Sequence, residues 1–284
     1  MSESSSSFFV EESEKSMGLR ACLLFVYVSG CRSSFCSETG WTPLWTENFN
    51  GSSLSSEAWN IEDGNRVGLC RSAYCSPSNV AVRDGALWLT SRREVHGSYN
   101  YTTAAVHTMG KKRFAARDGP FRVCVSAMLP GHASPPGAAQ GLWPAIWMMP
   151  DDASCDPDEG ETDILEQISG KPELYATYHW QTTWPKENCS YPAGHRSISN
   201  HALLPNWNAT FHEYALERTL DYVAFVYDGV TVVNSSGSDA LVWDIPFYLI
   251  INTAMGGSWP GEPNRSTVLP VTHTVNSVVV VRKI

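Results

Sequence analysis

The sequence predicts an all-β fold, an antiparallel β-sandwich of two sheets, and three observations predict it. Short apolar segments recur at similar spacing. Gly, Pro, Asn and Asp fill the breaks between them, and helical periodicity is almost absent from Trp41 onward. Taken in order, residues 80–91 read as two strands joined at Asp84-Gly85, a dipeptide suited to the backbone of a tight hairpin. Phe121 to Leu129 alternates and stops at Pro130-Gly131. The stretch 130–141, rich in Gly, Ala and Pro, reads as a surface loop. Residues 222–233 form a second hairpin turning at Asp228-Gly229, 247–252 a fully apolar strand, and 277–282 a closing strand. No repeat or linker interrupts residues 41–284, which are read as one domain behind a leader, 1–40.

Composition narrows the partners. Hydrophobic residues make up 43% of the 284 and charged ones 17%, enough to bury a sizeable core. A formal net charge of -9 argues against nucleic acid and against an anionic membrane surface, and suits sulfated or uronic-acid polymers poorly. A neutral polymer fits best. Eleven Trp and eleven Tyr supply faces that stack on sugar rings, although for any single Trp packing in the core is the competing role.

The leader has its own signature. Residues 1–15 are Ser- and Glu-rich with little to bury. An apolar run of about ten residues from Ala21 follows, too short to span a bilayer and suited to the h-region of a signal peptide. Small residues between Ser29 and Ser37 offer a cleavage site, Met17 offers an alternative start, and a buried strand is the competing reading of the run. Six Asn-x-Ser/Thr sequons, at Asn50, Asn100, Asn188, Asn208, Asn234 and Asn264, agree with secretion. Of eight Cys, Cys22 and Cys31 would leave with the cleaved signal peptide, and Cys36, Cys70, Cys75, Cys124, Cys155 and Cys189 remain, an even number compatible with disulfides. Their spacing and the scattered His predict no metal site, and no cofactor is expected.

The chemistry sits in Gly160-Glu-Thr-Asp-Ile-Leu-Glu-Gln-Ile168. Side chains alternate along a strand, so Glu161 and Asp163 share a face whereas Glu166 would point the other way. Burying that charge in the core would cost several kcal/mol. A one-residue β-bulge near Ile164-Leu165 restores Glu166 to the face of Glu161 and Asp163. Two carboxyl groups about 5–5.5 Å apart are what a retaining glycosidase uses, one to attack the anomeric carbon and one to protonate the leaving oxygen. Crowded carboxylates also raise one pKa, which an acid catalyst at neutral pH requires. The competing reading of three bare carboxylates is a solvated, acidic edge strand.

In this setting the chain resembles family 16 of the glycoside hydrolases, in particular its laminarinase-like, endo-β-1,3-glucanase branch. That branch carries Glu-x-Asp-x-x-Glu, whereas lichenases carry the shorter Glu-x-Asp-x-Glu. The segments at 44–51 with Trp59-Asn60, 141–150, 178–180, 211–214 and 252–261 resemble family elements in the expected order. The resemblance implies a jelly-roll, concanavalin-like sandwich with a concave substrate cleft, and a retaining enzyme working by double displacement. It implies Glu161 as nucleophile, Glu166 as acid/base and Asp163 as the hydrogen-bonding residue that tunes them. Trp143, Trp147 and Trp259 would line the cleft and His179 would stand near the acid/base, with Trp180 and Asn252 also assigned to substrate.

Three positions depart from the family. Ala105 stands where an Arg is usual, Arg218 where a Trp is usual, and Asn276 where an Asp often belongs to a calcium site. The expected partner is β-glucan, bound by a secreted monomer that engages no nucleic acid and, once the leader is gone, no membrane. Mixed-linkage glucanase, transglycosylase and non-catalytic glucan-binding protein remain competing functions. If the strands flanking their loops are neighbours, Cys155 and Cys189 come within reach of a disulfide.

Overall fold

The structure, a computed structural model, describes residues 33–64, 69–151, 160–181, 195–235 and 245–284. The expected signal peptide, Cys155, Cys189 and the sequon at Asn188 lie outside the described residues.

Two large antiparallel sheets face each other. The inner sheet has seven strands in the order His195–Leu203, Glu173–Gln181, Thr162–Gln167, Leu142–Pro150, Phe247–Met255, Ala105–His107 and Asn60–Ile61. The outer sheet runs Val230–Asn234, Val223–Tyr227, His212–Arg218, Phe121–Met128, Val271–Lys283, Ala86–Ser91 and Val80–Arg83, with Trp41–Glu47 also paired to Val271–Lys283. Both expected hairpins turn on left-handed pairs: Asp84 and Gly85 have φ 54° and 69°, Asp228 and Gly229 46° and 75°.

The facing sides of the sheets make the core. Trp59, Trp180, Tyr178, Phe121, Tyr214 and Tyr227 are all buried there. Phe247–Met255 is buried along its whole length, because its other face is covered too. There Leu69, Cys70, Cys75 and Ala105 pack with Met149, Tyr248 and Ile250. A disulfide closes Cys70–Cys75.

The compact unit begins at Ser34 rather than at Trp41. Residues 35–37 form a 3-10 turn, and Cys36 is bridged to Cys124 across 88 residues. Arg122 explains why this segment holds: its guanidinium lies 3.6 Å from the Phe35 ring centre and 4.0 Å from that of Trp41. It also pairs with Glu217 and Glu38, each at 2.7 Å. Residues 34–40, assigned by composition to the leader, therefore pack as domain.

Arg218 is nearly fully buried and stacks at 4.0 Å on Phe247. Its Nη1 donates to Thr162 Oγ1 at 3.1 Å, tying the start of the carboxylate strand to the outer sheet. Asn276 lies exposed at a register shift between Val275 and Ser277.

Candidate active site

The strand Thr162–Gln167 contains the expected bulge. Asp163 pairs with Thr177 on one neighbour and Trp147 on the other; beyond it the register shifts, and Glu166 pairs with Tyr175 and Ala145. Ile164 has no Cα partner on either side, and both Ile164 and Leu165 are sealed in the core. Two consecutive residues thus face inward, and Asp163 and Glu166 both face out. Tyr227 of the opposite sheet serves the irregularity. Its hydroxyl lies 2.7 Å from the Ile164 carbonyl oxygen and 2.9 Å from that of Tyr175, within reach to donate to either. Gly160 enters the strand at φ 105°, a conformation that side chains rarely adopt. A Cβ there would also stand 3.1 Å from Phe247 Cζ.

Around the strand the outward face is polar and aromatic. Trp143 and Trp147 project from one strand on this face. Trp143 Nε1 donates to Glu166 Oε1 at 2.9 Å, and Trp147 Nε1 donates to Asn252 Oδ1 at 2.9 Å. Trp259 stands edge-on to Trp143 at 5.5 Å and to Tyr175 at 5.3 Å, and it is 47% exposed. His179 Nε2 is 3.1 Å from Asp163 Oδ2, and its Nδ1 is 3.3 Å from Nε2 of His195. Glu161 is half-buried; its carbonyl oxygen accepts from the His179 backbone N–H at 2.9 Å, and alternation sets its side chain on the face of Asp163.

Burial raises the Glu166 pKa well above the usual carboxylate range, and the charge of Asp163 raises it further. The hydrogen bond from Trp143 and the positive charge of Arg71 oppose this without cancelling it. Glu166 is therefore the proton holder of the group. Among the described residues no cluster of three or more His, Cys, Asp or Glu is arranged to hold a metal ion.

Eight of the nine sequence-assigned residues meet here: Glu161, Asp163, Glu166, Trp143, Trp147, His179, Asn252 and Trp259. Asn252 is buried, with Nδ2 donating to the Leu69 carbonyl at 2.6 Å, so it holds Trp147 and the neighbouring loop in place. Trp180 is not brought to the site. Alternation turns it away from His179 into the core, where it stacks on Tyr178 at 5.4 Å. Arg71, Tyr175, His195 and Tyr227 belong to the site or its support and were not singled out from sequence. The Cys70/Cys75 pairing flanking Arg71 was the one available signal.

A sandwich whose outward face carries clustered carboxylates, one of them with a raised pKa, among aromatic side chains is built as a glycoside hydrolase. A sequence profile of the family described as Glycosyl hydrolases family 16 matches residues 125–274, more than half of the chain, and the chain belongs to that family. It is 28% identical to a β-glucanase of Rhodothermus marinus over 87% of this chain and 88% of that protein. The structure is similar to that of an endo-β-1,3-glucanase from Pyrococcus furiosus, with a TM-score of 0.72 and 25% identity over 86% of this chain and 95% of that one. The laminarinase catalytic domain of Thermotoga petrophila gives a TM-score of 0.72 at 27% identity, over 86% and 98% of the two chains.

Proposed function

We propose that the protein hydrolyses internal β-1,3-glucosidic bonds of laminarin-type glucan with retention of anomeric configuration. The observation that carries this reading is the bulged strand, which puts a buried Glu166, its pKa raised by that burial, on the same outward face as Glu161 and Asp163. In the first step Glu161 attacks the anomeric carbon as the bond to the glycosidic oxygen breaks, and the Glu166 proton passes to that departing oxygen. In the second step Glu166, now a carboxylate, takes a proton from water; the water oxygen displaces Glu161 and releases the sugar. The Asp163–His179 pair fixes the carboxylates' surroundings, and the exposed Trp259 offers a face for a pyranose. The long Glu-x-Asp-x-x-Glu spacing and the kinship with laminarinases support β-1,3-glucan over mixed-linkage glucan.

The two disulfides support a secreted protein working in an oxidising compartment. The test is incubation of the recombinant protein with laminarin and with lichenan. New reducing ends, released faster from laminarin, are expected. Lengthened chains without new reducing ends would mean transglycosylation, and binding without any product would mean a glucan-binding protein; either outcome overturns the reading.

A further inference from the structure

Arg71 is an exposed arginine with an unusually elaborate seat. Its backbone has φ 54°, a left-handed conformation that costs a non-glycine residue about 1–3 kcal/mol and persists only where the surroundings enforce it. Four contacts enforce it. The Cys70–Cys75 disulfide closes the loop, and the Met255 N–H donates to the Cys70 carbonyl at 3.3 Å. The Ser72 N–H donates to the Met255 carbonyl at 2.8 Å, and Ser72 Oγ donates to Glu262 Oε1 at 3.0 Å. The fit is close enough that a Cβ on Gly256 would come within 2.5 Å of Ser72 Oγ.

What this seat delivers is one cation beside the proton holder. The Arg71 guanidinium lies over the Trp143 ring at 5.0 Å from its centre, and the Trp143 indole N–H is bonded to Glu166. Among the described residues the Arg71 side chain makes no hydrogen bond and no ion pair, and the residue is exposed. Beneath the loop, Ala105 is fully buried against Cys70 and Cys75 and offers no polar group there. The loop that covers position 105 carries the cation instead. Arg71 also lies outside the residues matched by the family profile.

The geometry points to Arg71 as a substrate-binding and acid–base-tuning residue, its guanidinium donating to hydroxyls of the glucan unit bound beside Glu166 and its charge favouring the Glu166 carboxylate left after proton transfer. This rests on the glucanase reading. A planar fork of N–H donors suits a pair of sugar hydroxyls, and a ring face already covered by a cation is closed to a pyranose. Among the described residues the other charged or titratable groups around Glu166 are Asp163 and Glu161 from its own segment, Tyr175 and His179 on the next strand, and Tyr227 behind, and Arg71 is the permanent cation of that set.

The experiment compares Arg71→Met and Arg71→Lys with wild type on laminarin, reading KM, kcat and the pH profile of kcat/KM. Arg71→Met should raise KM about tenfold, the loss of two hydrogen bonds, and move the basic limb of the profile to higher pH. Arg71→Lys should raise KM but keep the limb in place, since it retains charge and loses the fork. A purely structural role would move neither limb nor KM selectively. Wild-type KM in Arg71→Met overturns the contact, and an unmoved limb overturns the electrostatic role. Wild type that cleaves no laminarin overturns the glucanase reading itself.

Discussion

Removing one oxygen atom from the far side of the sandwich should weaken both folding and turnover. Tyr227 is 1% exposed, and its hydroxyl is set against the Ile164 carbonyl at the bulge, where Ile164 has no Cα partner on either neighbouring strand. Tyr227→Phe leaves that carbonyl without the hydroxyl in a dry core, which costs about 1–3 kcal/mol. Tyr214 is the control. It is buried in the same sheet with its ring 5.2 Å from that of Tyr227, and its hydroxyl has no hydrogen-bond partner among the described residues. Deleting an unbonded buried hydroxyl removes a cost instead of a contact, so Tyr214→Phe should be neutral or stabilise by up to about 1 kcal/mol. Urea denaturation with unchanged m-values reads both numbers. Because the bulge sets where Glu166 points, Tyr227→Phe should also lower kcat several-fold with KM near wild type. Equal stability of the two variants, or full activity of Tyr227→Phe, would refute the role assigned to this hydroxyl.

Other expectations follow from the same geometry. Glu161→Gln should abolish turnover while retaining glucan binding, measured by affinity electrophoresis, and Glu166→Ala should be inactive yet rescued by azide, read as new glycosyl azide product. Burial lowers the His273 pKa from 6.5 to about 4, so the folded state holds this imidazole neutral. The associated stability is complete above pH 6.5 and is lost as pH falls toward 4, about 3 kcal/mol in all; thermal melts across that window should flatten in His273→Leu relative to wild type. On the chain-entropy account the Cys36–Cys124 bridge, spanning 88 residues, contributes about 4–5 kcal/mol, and Cys70–Cys75, spanning 5, about 2 kcal/mol. Cys36→Ser should therefore lower the melting temperature far more than Cys75→Ser, and non-reducing peptide mapping should recover both bridges together with the expected Cys155–Cys189.

What the sequence determined by itself was local or periodic. The Asp-Gly turns at 84–85 and 228–229, the apolar run 247–252 and the alternation of 121–129 each report a short-range preference that the fold did not override. The bulge was legible for the same reason: three carboxylates at 161, 163 and 166 reach one face of a strand only if a residue is inserted, and charge burial forbids the alternative. Tertiary structure decided which aromatic residues meet solvent. Trp180 and His179 are adjacent and equally suited to sugar by composition, but only the packing of two sheets says which side of that strand is core. It also decided where the domain starts, because the pairing of Cys36 with Cys124 and the stacking of Phe35 on Arg122 join residues that no local pattern links. Arg71 and Tyr227 reach Glu166 and its bulge through a loop seat and through the opposite sheet. Such contacts depend on distances between segments far apart in the chain, which spacing along a sequence does not encode.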